Sequence, residues 1–470
     1  MQKVHLNKLA LLMFVLLGGC STAPSYKKPD MDLPQHFKEA ATNWKISEPN
    51  SEIGREDWWS VFNDPTLNDL ISRGTNKNFQ IQAATARYNA SIAFLTANNA
   101  SLYPQIGVSG GSLNNRQSQA RPLRGSSQPN IYDSNQVSMV ASYELDLWGR
   151  IQSTIDSASA LSQAALSDVR AVKLLIRTEI ASTYFSILGL DTQINLIEKS
   201  IEAYRKQSEI VKYRFVEGVA SGGEFYRVQT IVENERIRML SLKTKRATLE
   251  HSLALLIGES ASNFNLARGD ISSIFLPTIP ISLPSQLLER RPDISSSERK
   301  VAASNADIGI ANAAFFPSIG LSAQAGYQND STSRLITAPN QFWSIGPTAF
   351  LTLFDAGRRD ALVSQAKSRN LEAIALYKNT VINAIKEVED ILIDLNDREA
   401  AQLNVDDAVT FSGKNYRIAT ARYNEGISNY LEIVDAFIQK SQSELTSADQ
   451  STQLLVGRVN LIKVLGGYWN

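Results

Sequence analysis

The most regular feature of this 470-residue chain is the spacing of its apolar residues, which follows two different periods. In two long stretches apolar residues recur every three or four positions, close to the coiled-coil period of about 3.5. The first seam comprises Val169, Val172, Ile176, Ile180, Thr183, Ile187, Leu190, Ile194, Ile197, Ile201 and Tyr204, and the second comprises Ile374, Tyr377, Val381, Ala384, Val388, Ile391 and Leu395. No proline interrupts the chain from Arg150 to Gly218. The pattern therefore predicts a helix of about 60 residues, roughly 90 to 100 Å long.

The second period is two, and it occurs in residues 104–147 and 317–354. In the first of these stretches Val137, Met139, Ala141, Tyr143, Leu145 and Leu147 alternate with polar residues that include Ser138, Ser142, Glu144 and Asp146. In the second, Ile319, Leu321, Ala323, Ala325, Tyr327, Ile345, Ala349, Leu351 and Leu353 alternate with small or polar residues. Such alternation predicts four strands in two β-hairpins. On alternation alone, a half-buried sheet in a water-soluble protein explains the pattern equally well.

This order of elements occurs twice. Gly149-Arg150 recurs as Gly357-Arg358, and Glu217-Gly218 as Glu425-Gly426, each 208 residues later. We therefore expect two copies of one unit. Residues 65–281 hold helices, the β-hairpin 104–147 and a long helical hairpin 150–258, and residues 282–470 repeat them with a β-hairpin 317–354 and a helical hairpin 357–466. Asp64 is a favourable N-cap residue and Pro65 a favourable first-turn residue, so we expect a helix to begin here and to start the first copy.

The first residues have the form of an export signal. Lys3 and Lys8 precede the short apolar run Leu9–Leu17, which predicts a signal peptide over residues 1–19. The run ends in Gly18-Gly19-Cys20 and resembles a bacterial lipobox, so we expect Cys20 to be lipidated. The alternative is an unmodified, buried cysteine. Residues 21–56 are polar, contain proline and lack a sustained period, so we expect residues 20–64 to form an extended, lipid-anchored tail.

Composition excludes several classes of function. The chain has 47 basic and 47 acidic side chains, which gives no electrostatic reason to bind nucleic acid. Cys20 is the single cysteine, so disulfides within the chain and thiolate metal clusters are excluded. The histidines have no metal-site spacing, so we expect no metal and no cofactor beyond the covalent lipid on Cys20.

Catalysis is a weak alternative. Gly107-Val-Ser109-Gly-Gly111 fits the nucleophile-elbow pattern, but that motif needs a strand-to-helix turn with a downstream acid and histidine. Here it lies inside an alternating strand, and His251 is the only later histidine. We therefore expect no enzymatic activity.

If the four strands lie in a membrane, they require other chains. Four strands cannot close a barrel, and lipid does not tolerate open sheet edges. Two chains would give eight strands and a barely hollow barrel, whereas three would give twelve and room for a channel. In such a barrel Tyr143 and Trp343 are expected to face lipid or its interface, and Glu144 is expected to face water.

Several ordered blocks carry a resemblance to a known family. They are Trp58-Trp59, Phe62-Asn-Asp64-Pro65, Arg290-Arg291-Pro292-Asp293-Ile294, Ala306-Asp307-Ile308-Gly309, Phe315-Phe316-Pro317, Phe354-Asp355-Ala356-Gly357-Arg358-Arg359 and Leu465-Gly466-Gly467-Tyr468-Trp469. Over essentially its full length the chain resembles the TolC-like outer membrane factors of tripartite efflux systems, in the lipidated OprM/NodT subgroup.

The resemblance implies an α+β membrane protein that assembles as a homotrimer. It implies a twelve-strand outer membrane β-barrel, four strands per chain, continued by a long periplasmic α-helical barrel. A periplasmic adaptor (membrane fusion protein) and an inner membrane efflux transporter are the implied partners. The implied function is a passive exit duct for drugs or other small toxic compounds. Methionine-rich metal paths are not expected, because the chain after the signal contains only Met31, Met139 and Met239.

Two other functions stay open at this point. A periplasmic coiled-coil adaptor would have equally regular seams. However, such a protein does not need four strands with a lipid-compatible face. An outer membrane duct of a one-step protein secretion system would share every pattern described so far.

The resemblance also implies roles at the two helical turns. It places a periplasmic gate at Tyr423, Leu431, Glu432 and Asp435, and adaptor-facing turns at Glu217, Gly218, Ser221, Glu425, Gly426 and Asn429. Ser221 and Asn429 each precede a glutamate by three residues, which predicts two capping boxes. Glu432 is therefore expected to be a structural cap first. Asp435 has no cation three or four residues away on its own helix, and the alternative to a gate role is a solvated carboxylate.

Overall fold

The computed structural model of the chain describes residues 22–40, 57–120, 129–276, 284 and 290–467. The predicted signal peptide, Cys20 and the boundary at 281/282 lie outside these residues. The helices are α1 (Pro65–Lys77), α2 (Phe79–Asn99), α3 (Arg150–Val216), α4 (Gly222–Leu256), α5 (Pro292–Ala313), α6 (Arg358–Asn424) and α7 (Tyr430–Val464). The strands are β1 (Gln105–Arg116), β2 (Ile131–Leu145), β3 (Ser318–Asn329) and β4 (Gln341–Phe350). Short 3-10 helices occupy Trp58–Phe62, Ala100–Leu102, Ile271–Ser273, Thr332–Arg334 and Ala338–Asn340.

The long helices form two pairs of equal length. Helices α3 and α6 have 67 residues each, and α4 and α7 have 35 each. At 1.5 Å per residue the longer pair reaches about 100 Å. The prediction of one unbroken helix after Arg150 is therefore confirmed, and the same holds after Arg358.

Most of the two predicted seams are buried. On α3, Ile176, Ile180, Ile187, Ile194 and Ile197 are fully buried. On α6, Tyr377, Val381, Ala384, Val388 and Leu395 of the predicted seam are buried, and Leu392 is buried where the seam named its half-buried neighbour Ile391. A stripe of this width is what one helix needs to pack along another, so the apolar period accounts for the paired arrangement of the hairpins.

The four strands form one antiparallel sheet in the order β1-β2-β3-β4. Its register aligns Val108, Met139, Ala325 and Trp343 in one row across the sheet. Since directly opposed residues point to the same face, this row belongs to an apolar face. The neighbouring row, Gly107, Val140, Gln324 and Ser344, belongs to the other, mostly polar face.

Tyr143 and Glu144 lie on opposite faces of this sheet. Tyr143 opposes Leu321 and shares the apolar face with Trp343, whereas Glu144 opposes Gly320 on the polar face. The relative placement of these three side chains agrees with the alternation in the sequence.

The last strand is shorter than the alternation suggests, because the expected hairpin 317–354 has alternating residues beyond Phe350. The final pair of the ladder joins Ser318 to Phe350, so the residues that follow have no partner strand. Asp355 then caps α6 by accepting bonds from the N–H groups of Gly357 at 3.1 Å and Arg359 at 3.2 Å. The chain has turned into the helix, and the strand cannot continue.

Two compact units make up the chain, one holding the sheet and the other holding the far ends of the helical hairpins. In the second unit, Phe62, Leu67 and Phe185 belong to a buried core. The predicted N-cap is confirmed there, because Asp64 accepts bonds from the N–H groups of Thr66 and Leu67. The hydroxyl of Tyr184 also donates to Asp64, at 2.8 Å.

Within the described residues, no helix is both long enough and apolar enough to cross a membrane. The same residues contain no cluster of three or more histidine, cysteine or acidic side chains arranged to hold a metal ion.

Candidate functional site

The two turns that end α3 and α6 have the same backbone geometry. Gly218 and Gly426 have φ angles of 74° and 75°, the left-handed region that favours glycine. The N–H of Val219 donates to the carbonyl of Arg214, and that of Ile427 donates to Arg422, both at 2.8 Å. These bonds close each helix with a glycine-based C-cap of the Schellman type.

The next helix of each hairpin begins with the predicted N-cap. The Ser221 hydroxyl accepts from the N–H of Glu224, and the Asn429 side chain accepts from that of Glu432, both at 3.2 Å. This half of each capping box is present. The carboxylate of Glu432 points elsewhere, to the guanidinium of Arg422 at 3.3 Å. Glu432 therefore ties the end of α6 to the start of α7, which a sequence-based capping box does not anticipate.

Three of the polar contacts between the first helical hairpin and the second lie near the turns. The Arg227 guanidinium binds the Asp435 carboxylate at 3.0 Å. The Arg214 guanidinium donates to the Tyr423 hydroxyl and lies 5.7 Å from the centre of its ring. Further along, the Tyr430 hydroxyl donates to the side chain of Gln207 at 3.0 Å.

An apolar cluster lies directly beneath these contacts. It consists of buried Val211, Val228, Ala419, Tyr430, Ile433, Val434 and Ala436, with Ala220, Phe225, Ile231, Tyr416 and Tyr423 packed against it. The rings of Tyr423 and Tyr430 meet edge to face at 5.8 Å. Burial raises the pKa of Tyr430, so its hydroxyl stays protonated and able to donate. The cluster holds the hairpins in register, and the Arg227–Asp435 contact lies at its exposed rim.

The predicted site residues divide by exposure. Tyr423 and Leu431 are half-buried, and Glu432 and Asp435 are exposed. All six predicted docking residues are exposed: Glu217, Gly218, Ser221, Glu425, Gly426 and Asn429. Asp435 has no cation three or four residues away on its own helix, and its partner, Arg227, lies on α4. The one available signal was that Arg227 occupies the repeat position of Asp435 with the opposite charge.

The comparisons with known proteins fit this architecture. A model of the family described as outer membrane efflux protein matches residues 70–259 and 283–467. The chain belongs to the outer membrane efflux protein family.

Relatives in this family align with nearly the whole chain. Outer membrane protein OprJ of Pseudomonas aeruginosa is 30% identical, over 100% of this chain and 97% of its own length. Cation efflux system protein CusC of Escherichia coli O157:H7 is 27% identical, over 98% of both chains. Among solved structures, the outer-membrane channel OprN superposes with a TM-score of 0.88 at 25% identity, covering 96% of this chain and 100% of that one.

Proposed function

We propose that this protein is the outer membrane channel of a tripartite efflux pump, a passive exit duct for drugs or other small toxic compounds. Membership of the outer membrane efflux protein family is the observation that carries the proposal. The duct binds no cofactor, performs no catalysis and takes its energy from an inner membrane transporter, to which a periplasmic adaptor connects it.

The assembly in this proposal is a homotrimer with a twelve-strand barrel. Strands β1 and β4 are the edges of the four-strand sheet, and within the described residues neither has a second partner strand. Open edges are not tolerated in lipid, so the sheets of three chains must join edge to edge. The row through Met139 and Trp343 then faces lipid, and the row through Val140 and Gln324 faces the lumen.

The turns of the helical hairpins form the periplasmic end of the proposed duct. Glu217, Gly218 and Ser221, with their counterparts Glu425, Gly426 and Asn429, are the residues that the adaptor contacts. Arg227–Asp435 and Arg214–Tyr423 hold neighbouring hairpins together while the duct is closed, and Leu431 narrows its opening. Docking of the adaptor separates these pairs.

Lipidation of Cys20 anchors each chain to the outer membrane, and the tail beyond it is bound by the folded protein. Thr22 donates to the carbonyl of Trp148 at 3.1 Å in the first unit. In the second unit, the Glu389 carboxylate accepts from the N–H groups of Lys38 at 2.8 Å and Glu39 at 2.9 Å.

Two measurements on the full-length protein test the proposal. The purified protein should form trimers that conduct ions in planar bilayers, and a deletion strain should become more susceptible to drugs and dyes. A matched strain carrying the complementing gene is the control. Unaltered susceptibility together with loss of an exported protein would instead identify a secretion duct. Absence of conductance both in the wild type and in the gate variant Leu431→Ser would contradict a channel of either kind.

A further inference from the structure

The two corners at which strands lead into long helices carry unequal charge. Both corners use a glycine with positive φ, Gly149 at 71° and Gly357 at 86°, and each glycine is followed by an arginine. The arginines, Arg150 and Arg358, are repeat equivalents and begin α3 and α6. Their surroundings differ.

At the first corner the arginine is neutralised. Arg150 binds Glu144 through two parallel bonds, Nε to Oε1 at 2.9 Å and Nη2 to Oε2 at 2.8 Å. The nearby carboxylate of Asp146 is used differently, since it accepts from the N–H groups of Ile151 at 3.0 Å and Gln152 at 2.7 Å and so caps α3. Glu144 is therefore the counter-charge of Arg150.

At the second corner the counter-charge is missing. The repeat position of Glu144, 208 residues further along, is Thr352. The neighbouring carboxylate of Asp355 binds Arg359 at 2.6 Å. Within the described part of the chain, no carboxylate lies within salt-bridge distance of Arg358, which is exposed. Of the two repeat-equivalent arginines, Arg150 is thus paired and Arg358 is unpaired.

Glu144 lies where passing solutes can reach it. It shares the polar face of the sheet with Thr348. With Arg150, Gln105 and Ser142 it lines an open cavity of about 440 Å³. The side chains of Arg150 and Glu144 are 44% and 38% exposed. If three such sheets close a barrel, as in the proposed function on which this inference rests, the polar face lines the lumen.

We propose that Glu144 is a specificity-determining residue of the duct. By neutralising Arg150 it removes one positive charge per chain from the junction of barrel and helices, while Arg358 keeps its charge without a carboxylate partner among the described residues. Rings of charged side chains set the ion preference of a pore, so Glu144 shifts the preference of the junction toward cations. Without Glu144 the junction gains one net positive charge per chain, and cationic solutes pass less readily.

Reversal potentials in planar bilayers across a potassium chloride gradient test this, using the full-length trimer. Glu144→Gln should shift the reversal potential toward that of chloride, with about a twofold or larger rise in the chloride-to-potassium permeability ratio. Arg358→Gln should shift it the opposite way, and the double variant should return close to the wild-type value.

Thr352→Glu is the matched gain-of-charge variant, because it places a carboxylate at the repeat position of Glu144 and removes no ion pair. It should shift the reversal potential toward potassium even if Glu144→Gln does not assemble. Channels whose reversal potential is unchanged in both variants would overturn the inference and leave Glu144 as a structural clamp. Failure of both the wild-type protein and Leu431→Ser to conduct would count against the proposed function instead.

Discussion

Asp435 and Arg227 occupy equivalent positions in the two copies, yet they have opposite charges and bind each other. Their side chains are 55% and 49% exposed. An ion pair in such a position is worth about 0 to 1 kcal/mol, because water and salt screen it. One pair alone therefore cannot hold a duct shut. In the proposed gate, several weak contacts beside a packed apolar cluster together give a closure that a docking partner can open.

Substitutions on both sides of this pair distinguish a lock from a ring of negative charge. If the pair acts as a lock, Asp435→Ala and Arg227→Ala should each raise the resting conductance in planar bilayers. If Asp435 acts chiefly as an anionic ring, Asp435→Ala should lower cation selectivity and divalent-cation block, and Arg227→Ala should increase both. We expect the lock. Leu431→Ser should also raise resting conductance. Unchanged conductance in all three variants would show that the gate lies at other residues.

Glu235 gives a prediction about pH. It lies near Tyr204, whose ring meets that of Phe437 edge to face at 4.8 Å. One oxygen of the Glu235 carboxylate is buried without a hydrogen-bond partner within the described residues. Burial raises the pKa of Glu235, and Arg238 offsets this effect only in part. The folded protein therefore favours the protonated acid, and stability falls as pH rises through the folded-state pKa.

Glu235→Gln should therefore raise the melting temperature at about pH 8 and have little effect near pH 4, where the acid is already protonated. Thermal loss of the helical circular dichroism signal in detergent measures this. Glu233→Gln is the matched control, because Glu233 is exposed two residues away and pairs with Arg236. An equal melting temperature for Glu235→Gln and wild type at high pH would show that the carboxylate is hydrated.

At the scale of elements, the sequence predicts long helices better than it predicts strand ends. The unbroken run after Arg150 and the seam period are local properties, and a helix satisfies its backbone hydrogen bonds locally. A strand ends where its partner ends. Alternation continues to Leu353, but β4 stops at Phe350 because β3 begins at Ser318. That limit depends on a neighbouring strand, so no pattern within residues 341–354 contains it.

The two faces of the sheet should tolerate charge unequally. Met139 lies on the apolar face and Val140 on the polar face of β2. Met139→Arg should destabilise the assembled trimer by about 2 to 4 kcal/mol if this row faces the middle of the bilayer. Val140→Arg, one residue away, should cost much less. Dissociation of trimers with temperature on semi-native gels measures both, and equal loss in the two variants would contradict the assignment of faces.

The proposed gate also depends in part on contacts between distant elements, which no local sequence pattern contains. The caps at Ser221 and Asn429 and the turns at Gly218 and Gly426 follow from local spacing. The pairing of Arg227 with Asp435 does not, because it depends on how α4 and α7 are aligned by the apolar cluster between the hairpins. Helix-local rules compare residues three or four apart, and these two are 208 apart.

At the scale of the molecule, the lipid anchor is expected to be dispensable once the barrel has assembled. Cys20→Ser should abolish lipidation but leave much of the trimer in the outer membrane, since a barrel buries far more apolar area than acyl chains add. Docking of the tail through Thr22 and Glu389 persists without the lipid. Membrane fractionation followed by semi-native electrophoresis checks this, and complete loss of trimers from the outer membrane would refute it.

The close similarity of the two hairpin turns also affects how many partner molecules the trimer can bind. In the proposed trimer, three chains present six tips with the same glycine and the same preceding glutamate, Gly218 after Glu217 and Gly426 after Glu425. For a protein that recognises only these shared features, the trimer has approximate six-fold symmetry, so six copies of that protein can bind. For a protein that distinguishes Arg227 from Asp435, the trimer has only three-fold symmetry, so three copies can bind. Because of the internal repeat, the number of partner molecules in the assembly depends on which features of these tips the partner recognises.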